Sequence, residues 1–345
     1  MTENKNRIAK VWHTRGAGHR TTIVYKSLLW PRFERYVSDP LFTVLPWWIP
    51  ANFITLSGNF CLFLATAAAY VNYRTGLPVW PLIPFLVCAY LTGDLLDGKQ
   101  ARRTNTCAPL GEFFDHFFDI LVMGCMVSML FFAYRISDPL VMGIIVIIGY
   151  LPLFGSFYEQ YFCETLYFEA ISSFEMIFAG TVICCLGFIE PFRAAIYAEL
   201  LPRVSLFSLA LGLGAVTGLT LFARNILRTG KRGKPTCLLF LLPAAAVFFF
   251  ASALAERGFL FVMITYCAAY VERFLLAYVR HGKPPLPDIV FPLILAAFYF
   301  LRLPHAALCA VVYQGLVILA LFLRGFIPLR DGWRWRNPPE YVQGQ

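Results

Sequence analysis

Four aspartates stand close together in the chain, at spacings that place them on shared helix faces. Asp94 and Asp97 are three residues apart at the end of one apolar segment, and Asp115 and Asp119 are four apart at the start of the next. Such spacings put two side chains on one face of a helix. A carboxylate at membrane depth costs about 2.5–3.5 kcal/mol, and clustered like charges oppose one another's ionisation. Divalent cations remove both penalties, and carboxylates without His or Cys partners suit Mg²⁺ or Mn²⁺. The pattern therefore predicts a centre that holds two metal ions.

The segments that carry these aspartates have the composition of membrane-spanning helices. Of the 345 residues, 59% are hydrophobic and 14% are charged, and the mean hydropathy is +0.65. A soluble domain is about 45–50% apolar and about 25% charged. Because roughly 20 apolar residues span a bilayer, we predict an all-α, polytopic integral membrane bundle with about ten transmembrane helices. The candidate segments lie near residues 53–72, 79–96, 110–133, 138–155, 171–189, 203–222, 237–254, 259–278, 289–302 and 305–323.

The net charge of +9 follows from membrane topology in this interpretation. If the N-terminus is cytosolic, most Lys and Arg residues fall on the cytosolic side, as the positive-inside rule requires. The same topology places the aspartates at the cytosolic face. The basic excess then reflects topology and attraction to anionic membrane lipid, and no nucleic-acid partner is expected. The ten cysteines show no CxxC pattern and are interpreted as packing residues.

Three regions are predicted along the chain. Residues 1–50 form a cytosolic N-terminal arm, and within it residues 25–50 mix aromatic residues with Arg and Lys. That mixture is typical of an amphipathic helix that lies in the membrane interface. Residues 51–225 are predicted to be the catalytic transmembrane core, and residues 226–345 add further transmembrane helices and a basic tail.

A second acidic stretch, residues 156–170, carries Glu159, Glu164 and Glu169 with no Lys or Arg. We predict that it forms a solvated cytosolic loop. A peripheral cation site at these three glutamates is the alternative.

Eight residues fit the fixed pattern Asp-x2-Asp-Gly-x2-Ala-Arg-x8-Gly-x3-Asp-x3-Asp. This pattern resembles the signature of the CDP-alcohol phosphotransferase family at every position. The intervening residues, Asp-Gly-Lys-Gln-Ala-Arg-Arg-Thr-Asn and later Pro-Leu-Gly-Glu and Phe-Asp-His, resemble the choline/ethanolamine phosphotransferase branch. Beyond about residue 190 the resemblance rests on hydropathy alone. The eight residues are Asp94, Asp97, Gly98, Ala101, Arg102, Gly111, Asp115 and Asp119.

The resemblance implies transfer of phosphocholine or phosphoethanolamine from a CDP-alcohol to diacylglycerol, with release of CMP. Phosphoryl transfer needs charge neutralisation and alignment more than covalent help, which two ions of Mg²⁺ or Mn²⁺ supply. Asp94, Asp97 and Asp115 are the predicted ligands of the first ion. Asp97, Asp115 and Asp119 are the predicted ligands of the second.

The nucleotide is expected to contact the glycines, Ala101 and Arg102 of the motif. Gly98 and Gly111 allow close approach of the nucleotide and of the neighbouring helix, and the Arg102 guanidinium can hold phosphate oxygens. Lys99 and Arg103 are weaker candidates for the same role. Asn52 is placed to contact the CDP moiety or, alternatively, to cap the first spanning helix.

The acceptor hydroxyl needs a general base. His116 is the only histidine in the motif, and an unperturbed histidine titrates near neutrality. The resemblance implies that His116 is this base, with Glu175 as its partner. Asp119 is the rival, since family members without the histidine are usually given the last aspartate as base. Phe117 and Phe118 replace the smaller residues usual in this branch and are expected to narrow or redirect the acceptor pocket.

Two other functions remain open on the sequence. A CDP-diacylglycerol-dependent phosphatidyltransferase acting on a polar alcohol would share the motif, although such enzymes usually lack the Asp-His pair. A polytopic lipid or ion transporter would spread its carboxylates across the membrane depth, whereas these lie at one face. The sequence does not choose between choline and ethanolamine.

The predicted partners are CDP-choline or CDP-ethanolamine, diacylglycerol and membrane lipids, with homodimerisation a family tendency. The predicted location is a multi-pass position in the endoplasmic reticulum or Golgi membrane of a eukaryote, or in a bacterial inner membrane.

Overall fold

The computed structural model describes residues 10–16, 19–25, 27–168, 173–202, 204–254, 258–280, 282–303 and 305–330.

The N-terminal arm begins with strands and continues as a short helical segment. Strand β1 (Lys10–Gly16) pairs antiparallel with β2 (His19–Tyr25), which pairs parallel with β3 (Thr165–Phe168). The arm continues through α1 (Trp30–Phe33), a π-helical turn and α2 (Asp39–Val44). The arm therefore contains short helical segments between residues 30 and 44, and their position in the membrane interface stays a prediction.

The remaining helices form the bundle. They are α3 (Ala51–Thr75), α4 (Leu82–Arg103), α5 (Pro109–Tyr134), α6 (Pro139–Cys163), α7 (Ser173–Phe188), α8 (Glu190–Tyr197), α9 (Leu206–Thr229), α10 (Leu241–Leu254), α11 (Phe259–Val279), α12 (Val290–Leu301) and α13 (Ala306–Leu329). A short hairpin, β4 (Glu199–Leu201) and β5 (Val204–Ser205), precedes α9. The protein is an all-α, multi-pass integral membrane protein.

Local sequence sets several helix ends. Gly76 adopts a φ of 75° after α3, a left-handed conformation that favours glycine at a helix C-terminus. The Asp138 carboxylate accepts a hydrogen bond from the Val141 N–H and caps α6, and Ser205 forms a capping box with Ser208 at the start of α9. These are standard N-terminal caps.

The number of spans requires a correction. Each of the ten predicted segments overlaps a helix, but only six helices in the described part of the chain are long and apolar enough to cross a membrane. The count rises to seven if α7 and α8, which meet at an angle of 101°, form one broken span. Helices α10 and α12 have 14 and 12 residues, and at about 1.5 Å per residue they fall short of a hydrocarbon core of about 30 Å. Helix α4 is not among the six, and it carries the charged motif in its second half.

The predicted acidic loop at residues 156–170 is also wrong over its first half. Helix α6 continues to Cys163, and Glu159 is buried within it. Its carboxylate forms a salt bridge of 3.0 Å with the partly exposed Arg228 of α9, so an ion pair replaces the expected solvated charge. Glu164 lies at the C-cap of the helix, and Glu169 lies outside the described residues.

Candidate active site

The site is built where α3 and α4 approach each other most closely. A Cβ atom added to Gly93 of α4 would lie 3.2 Å from the Gly58 Cα atom of α3, a tighter contact than a side chain normally makes. The two glycines therefore let the backbones pack directly together. This approach brings polar side chains of α3 against the aspartates of α4.

Three of the four predicted metal ligands form one cluster. Asp94 of α4 and Asp115 and Asp119 of α5 each offer a carboxylate oxygen, and these oxygens lie within 4.8 Å of one another. All three residues are half-buried. An all-carboxylate donor set at this separation fits a hard divalent cation such as Mg²⁺ or Mn²⁺.

Asp97, the fourth predicted ligand, lies beside this cluster and is held separately. It is buried, and its Oδ2 atom accepts a hydrogen bond of 2.5 Å from the Thr55 hydroxyl of α3. Thr55 fixes the carboxylate in place, as hydrogen-bond partners of metal ligands commonly do. No functional role was predicted for Thr55 from the sequence, because it lies on a different helix from the motif.

Asp119 has a hydrogen-bond partner that the sequence analysis also missed. The Tyr90 hydroxyl donates a hydrogen bond of 3.0 Å to Asp119 Oδ1. Tyr90 precedes Asp94 by four residues on α4, so the same spacing argument that paired the aspartates would have placed it on their face.

The predicted nucleotide residues lie near the same ends of α3, α4 and α5. A Cβ atom added to Gly111 would lie 3.5 Å from the Asn52 side-chain oxygen, so these two predicted residues are neighbours. The Arg102 guanidinium lies over Gly98, with its Nη1 atom 3.2 Å from the position of an added Cβ atom. Arg102 is exposed and Ala101 is half-buried.

His116 is buried directly after Asp115. Its ring packs edge-on against Phe157 of α6, with the ring centroids 5.6 Å apart. Its Nδ1 atom has no hydrogen-bond partner among the described residues.

Glu175 contacts the N-terminal arm. Its Oε1 atom accepts hydrogen bonds from the Ser27 hydroxyl at 2.5 Å and from the backbone N–H groups of Leu28 and Leu29 at 2.8 and 2.9 Å. The carboxylate thus meets the backbone N–H groups just before α1, where a negative charge is favourable. The expected pairing of Glu175 with His116 stays a prediction.

Lys99 and Arg103, which were predicted as weaker candidates for binding phosphate, also contact the N-terminal arm. The Lys99 ammonium contacts the carboxylates of Asp39 at 2.5 Å and Glu34 at 3.1 Å. The Arg103 guanidinium donates a hydrogen bond of 2.8 Å to the Leu45 carbonyl oxygen.

Gln100 completes this attachment. It is fully buried, and its amide nitrogen donates to the carbonyl oxygens of Pro46, Trp47 and Ile49 at 3.1, 3.2 and 2.6 Å. These contacts fix the segment that leads into α3.

The two unusual phenylalanines of the motif pack against α13. The Phe117 and Phe322 ring centroids are 5.2 Å apart, and Phe118 contacts the same ring at 6.4 Å. Gly325 of α13 leaves room for Phe113, because an added Cβ atom there would overlap that ring. Aromatic packing thus joins the motif helix to the C-terminal part of the bundle.

Comparison of the sequence with known proteins finds related enzymes. Residues 48–196 match the family model of the CDP-alcohol phosphatidyltransferases. Over 147 residues the chain is 35% identical to choline/ethanolaminephosphotransferase 2 of Arabidopsis thaliana, covering 41% of this chain and 36% of that protein. Over 108 residues it is 40% identical to cholinephosphotransferase 1 of Mus musculus, covering 30% of this chain and 27% of that protein. The matched stretches thus span well under half the length of these relatives.

Proposed function

Since the chain carries a domain of the CDP-alcohol phosphatidyltransferase family at residues 48–196, we propose that it is an enzyme of the choline/ethanolamine phosphotransferase branch. It transfers phosphocholine or phosphoethanolamine from a CDP-alcohol to the free hydroxyl of diacylglycerol and releases CMP. The observation that carries this proposal is the cluster of three carboxylates, Asp94, Asp115 and Asp119, with oxygens within 4.8 Å of one another.

The four aspartates hold two divalent ions in this proposal. Asp94, Asp115 and Asp119 supply the clustered oxygens, and Asp97 is held in place beside them by Thr55. Bound Mg²⁺ or Mn²⁺ would neutralise the pyrophosphate and the departing CMP.

The nucleotide and the phosphates lie over the helix ends at Asn52, Gly98, Ala101, Arg102 and Gly111. Arg102 is the exposed cation next to the carboxylates, and its planar guanidinium suits phosphate oxygens. Neutralisation of the negative charge of the diphosphate is the main electrostatic contribution that this reaction needs.

His116 is the preferred general base. Asp119 already accepts a hydrogen bond from Tyr90 and contributes to the carboxylate cluster, so both of its functions oppose proton uptake. In this proposal the neutral His116 ring accepts the proton of the diacylglycerol hydroxyl as the new phosphate ester forms.

Diacylglycerol reaches the site from the bilayer, and the CDP-alcohol reaches it from the cytosol. The Lys and Arg residues near the carboxylate end of α4, Lys99, Arg102 and Arg103, agree with a cytosolic position for that end under the positive-inside rule. Endoplasmic reticulum, Golgi or bacterial inner membrane all provide this arrangement.

The test is release of CMP by purified protein in detergent–lipid micelles that contain diacylglycerol. CDP-choline and CDP-ethanolamine are supplied in parallel with Mg²⁺ or Mn²⁺, and EDTA serves as the control. We expect metal-dependent release with at least one donor, and the ratio of rates defines the headgroup. Turnover only with CDP-diacylglycerol and a polar alcohol would contradict the proposal and assign the other donor class.

A further inference from the structure

A carboxyl group deep in the C-terminal half of the bundle has no hydrogen-bond partner in the part of the chain that the structure describes. Glu272 of α11 is 1% exposed, and neither of its carboxylate oxygens has a hydrogen-bond partner among the described residues. A buried carboxyl without a partner destabilises the fold, and ionisable groups at membrane depth commonly mark functional sites.

The helix contacts place Glu272 at the depth of the candidate active site. On α6, Tyr150 donates to the Ile120 carbonyl oxygen and Phe157 packs on His116, so α6 runs antiparallel to α5. Phe154 contacts Tyr270 and Tyr158 contacts Phe274, with centroids 5.3 and 5.9 Å apart. Helix α11 therefore runs parallel to α6 and antiparallel to α5.

The point where α5 and α11 touch fixes the register. A Cβ atom added to Gly124 of α5 would lie 2.5 Å from Ile264 Cγ2 of α11. Glu272 follows Ile264 by eight residues, and His116 precedes Gly124 by eight residues. Since both helices rise about 1.5 Å per residue, Glu272 lies level with His116. Residues 264, 268 and 272 are each four apart and therefore neighbour one another along the surface of α11. Residue 264 is the one that contacts α5 at Gly124.

Other polar groups without a hydrogen-bond partner among the described residues lie within about one helical turn of this level. His116 Nδ1 is one, and the side-chain amide of Gln160, three residues after Phe157 and 1% exposed, is another. Buried polar groups are normally hydrogen-bonded, so three such groups within about one helical turn of one another along the α5–α6–α11 contact indicate a site that a ligand completes.

We propose that Glu272 is the counter-charge for the ammonium group of the CDP-alcohol. The inference rests on the proposed function. The aspartate cluster and Arg102 serve the phosphates, and diacylglycerol is apolar, so the ammonium is the part of the substrates that complements a lone carboxylate. Aromatic rings at this depth, including those of Phe154, Phe157 and Tyr270, add the ring faces that stabilise substituted ammonium groups.

The test compares CDP-choline with its uncharged isostere, in which carbon replaces the quaternary nitrogen. Calorimetry on full-length protein in lipid micelles gives the Kd of each compound and of CMP, for the wild type, Glu272→Gln and Glu272→Asp. Because a carboxylate and a quaternary ammonium attract each other by charge, and more strongly in a buried site than in water, Glu272→Gln is expected to raise the Kd of CDP-choline about 10- to 100-fold. The Kd values of CMP and of the isostere are expected to stay unchanged, with Glu272→Asp intermediate.

A matched control is Gln314→Met on α13. Gln314 is also buried, with a side-chain oxygen that lacks a partner among the described residues, and its loss should leave all three Kd values unchanged. We further expect Glu272→Gln to unfold at the same or a higher temperature than the wild type, because it removes a lone buried acid. A purely structural residue would instead lower the unfolding temperature.

Equal changes of Kd for CDP-choline and the isostere, or no change for either, would overturn the assignment of Glu272. That result is distinct from failure of the proposed function. A wild type that binds neither compound but turns over CDP-diacylglycerol would overturn both.

Discussion

The carboxyl groups of Asp97 and Asp119 in the N-terminal half of the bundle have different surroundings from that of Glu272 in the C-terminal half. The buried Asp97 and the half-buried Asp119 accept hydrogen bonds from Thr55 and Tyr90. In the C-terminal half, Glu272 has no partner among the described residues. A partner supplied by the protein holds a carboxylate in a fixed position, which suits a metal ligand. A carboxyl without one is suited to a group that arrives with the substrate.

The largest expected effect comes from breaking the carboxylate cluster itself. Asp115→Asn removes one of three clustered charges while keeping the side-chain shape, and we expect CMP release to fall by about 10³-fold or more, because electrostatic stabilisation is usually the largest catalytic contribution. Steady-state CMP release at saturating Mn²⁺ measures it. Asp138→Asn is the matched control, since Asn caps a helix as well as Asp. Near-normal turnover in Asp115→Asn would remove this residue from the metal site.

The next effect separates His116 from its rival Asp119. We expect His116→Ala to lower kcat by about 10²–10⁴-fold, the usual contribution of a general base, with the Kd of the CDP-alcohol unchanged. Asp119→Asn should instead weaken metal binding, which raises the metal concentration needed for half-maximal rate. If Asp119→Asn lowers kcat at every metal concentration and His116→Ala does not, the base is Asp119.

A smaller effect is expected from loss of the hydrogen bond that holds Asp97. Thr55→Val removes the hydroxyl that holds Asp97 and keeps the side-chain volume. Loss of such a supporting contact typically weakens metal affinity about 10- to 100-fold, so the metal concentration at half-maximal CMP release should rise while kcat at saturating metal recovers. Thr55→Ser, which keeps the hydroxyl, is expected to behave as the wild type. A loss of kcat that excess metal does not restore would exclude this positioning role.

How far the sequence predicts this molecule depends on the range of the interactions. The i, i+4 spacing on α5 predicted that Asp115 and Asp119 share one helix face, and the long apolar segments predicted the helices. The approach of α4 that adds Asp94 to the cluster and leaves Asp97 outside it depends on tertiary packing. The contact of Thr55 with Asp97 depends on the close approach of Gly58 to Gly93 on another helix, which no local pattern encodes.

The prediction for Glu159 fails for a related reason. A cluster of glutamates without basic neighbours resembles a loop, but the partner of Glu159 is Arg228, far along the chain. Glu272 offered a clear signal, since it is the one acidic residue in the predicted segment 259–278. The segment was predicted only to span the membrane, and the contacts of α11 with α5 and α6 are what place Glu272 level with His116.

The smallest expected effect concerns Glu175 and the arm. Glu175→Gln replaces charge-assisted hydrogen bonds to Ser27, Leu28 and Leu29 with neutral ones, and this difference is worth about 1 kcal/mol. We expect hydrogen exchange at the Leu28 and Leu29 amides to accelerate about fivefold, with little change in CMP release. Ser27→Ala, which removes one of the three donors, should give a smaller change of the same kind. A fall in turnover as large as that of His116→Ala, without faster exchange in the arm, would assign Glu175 to the histidine instead. The carboxylate would then belong with the catalytic groups of the bundle rather than with the attachment of its N-terminal arm.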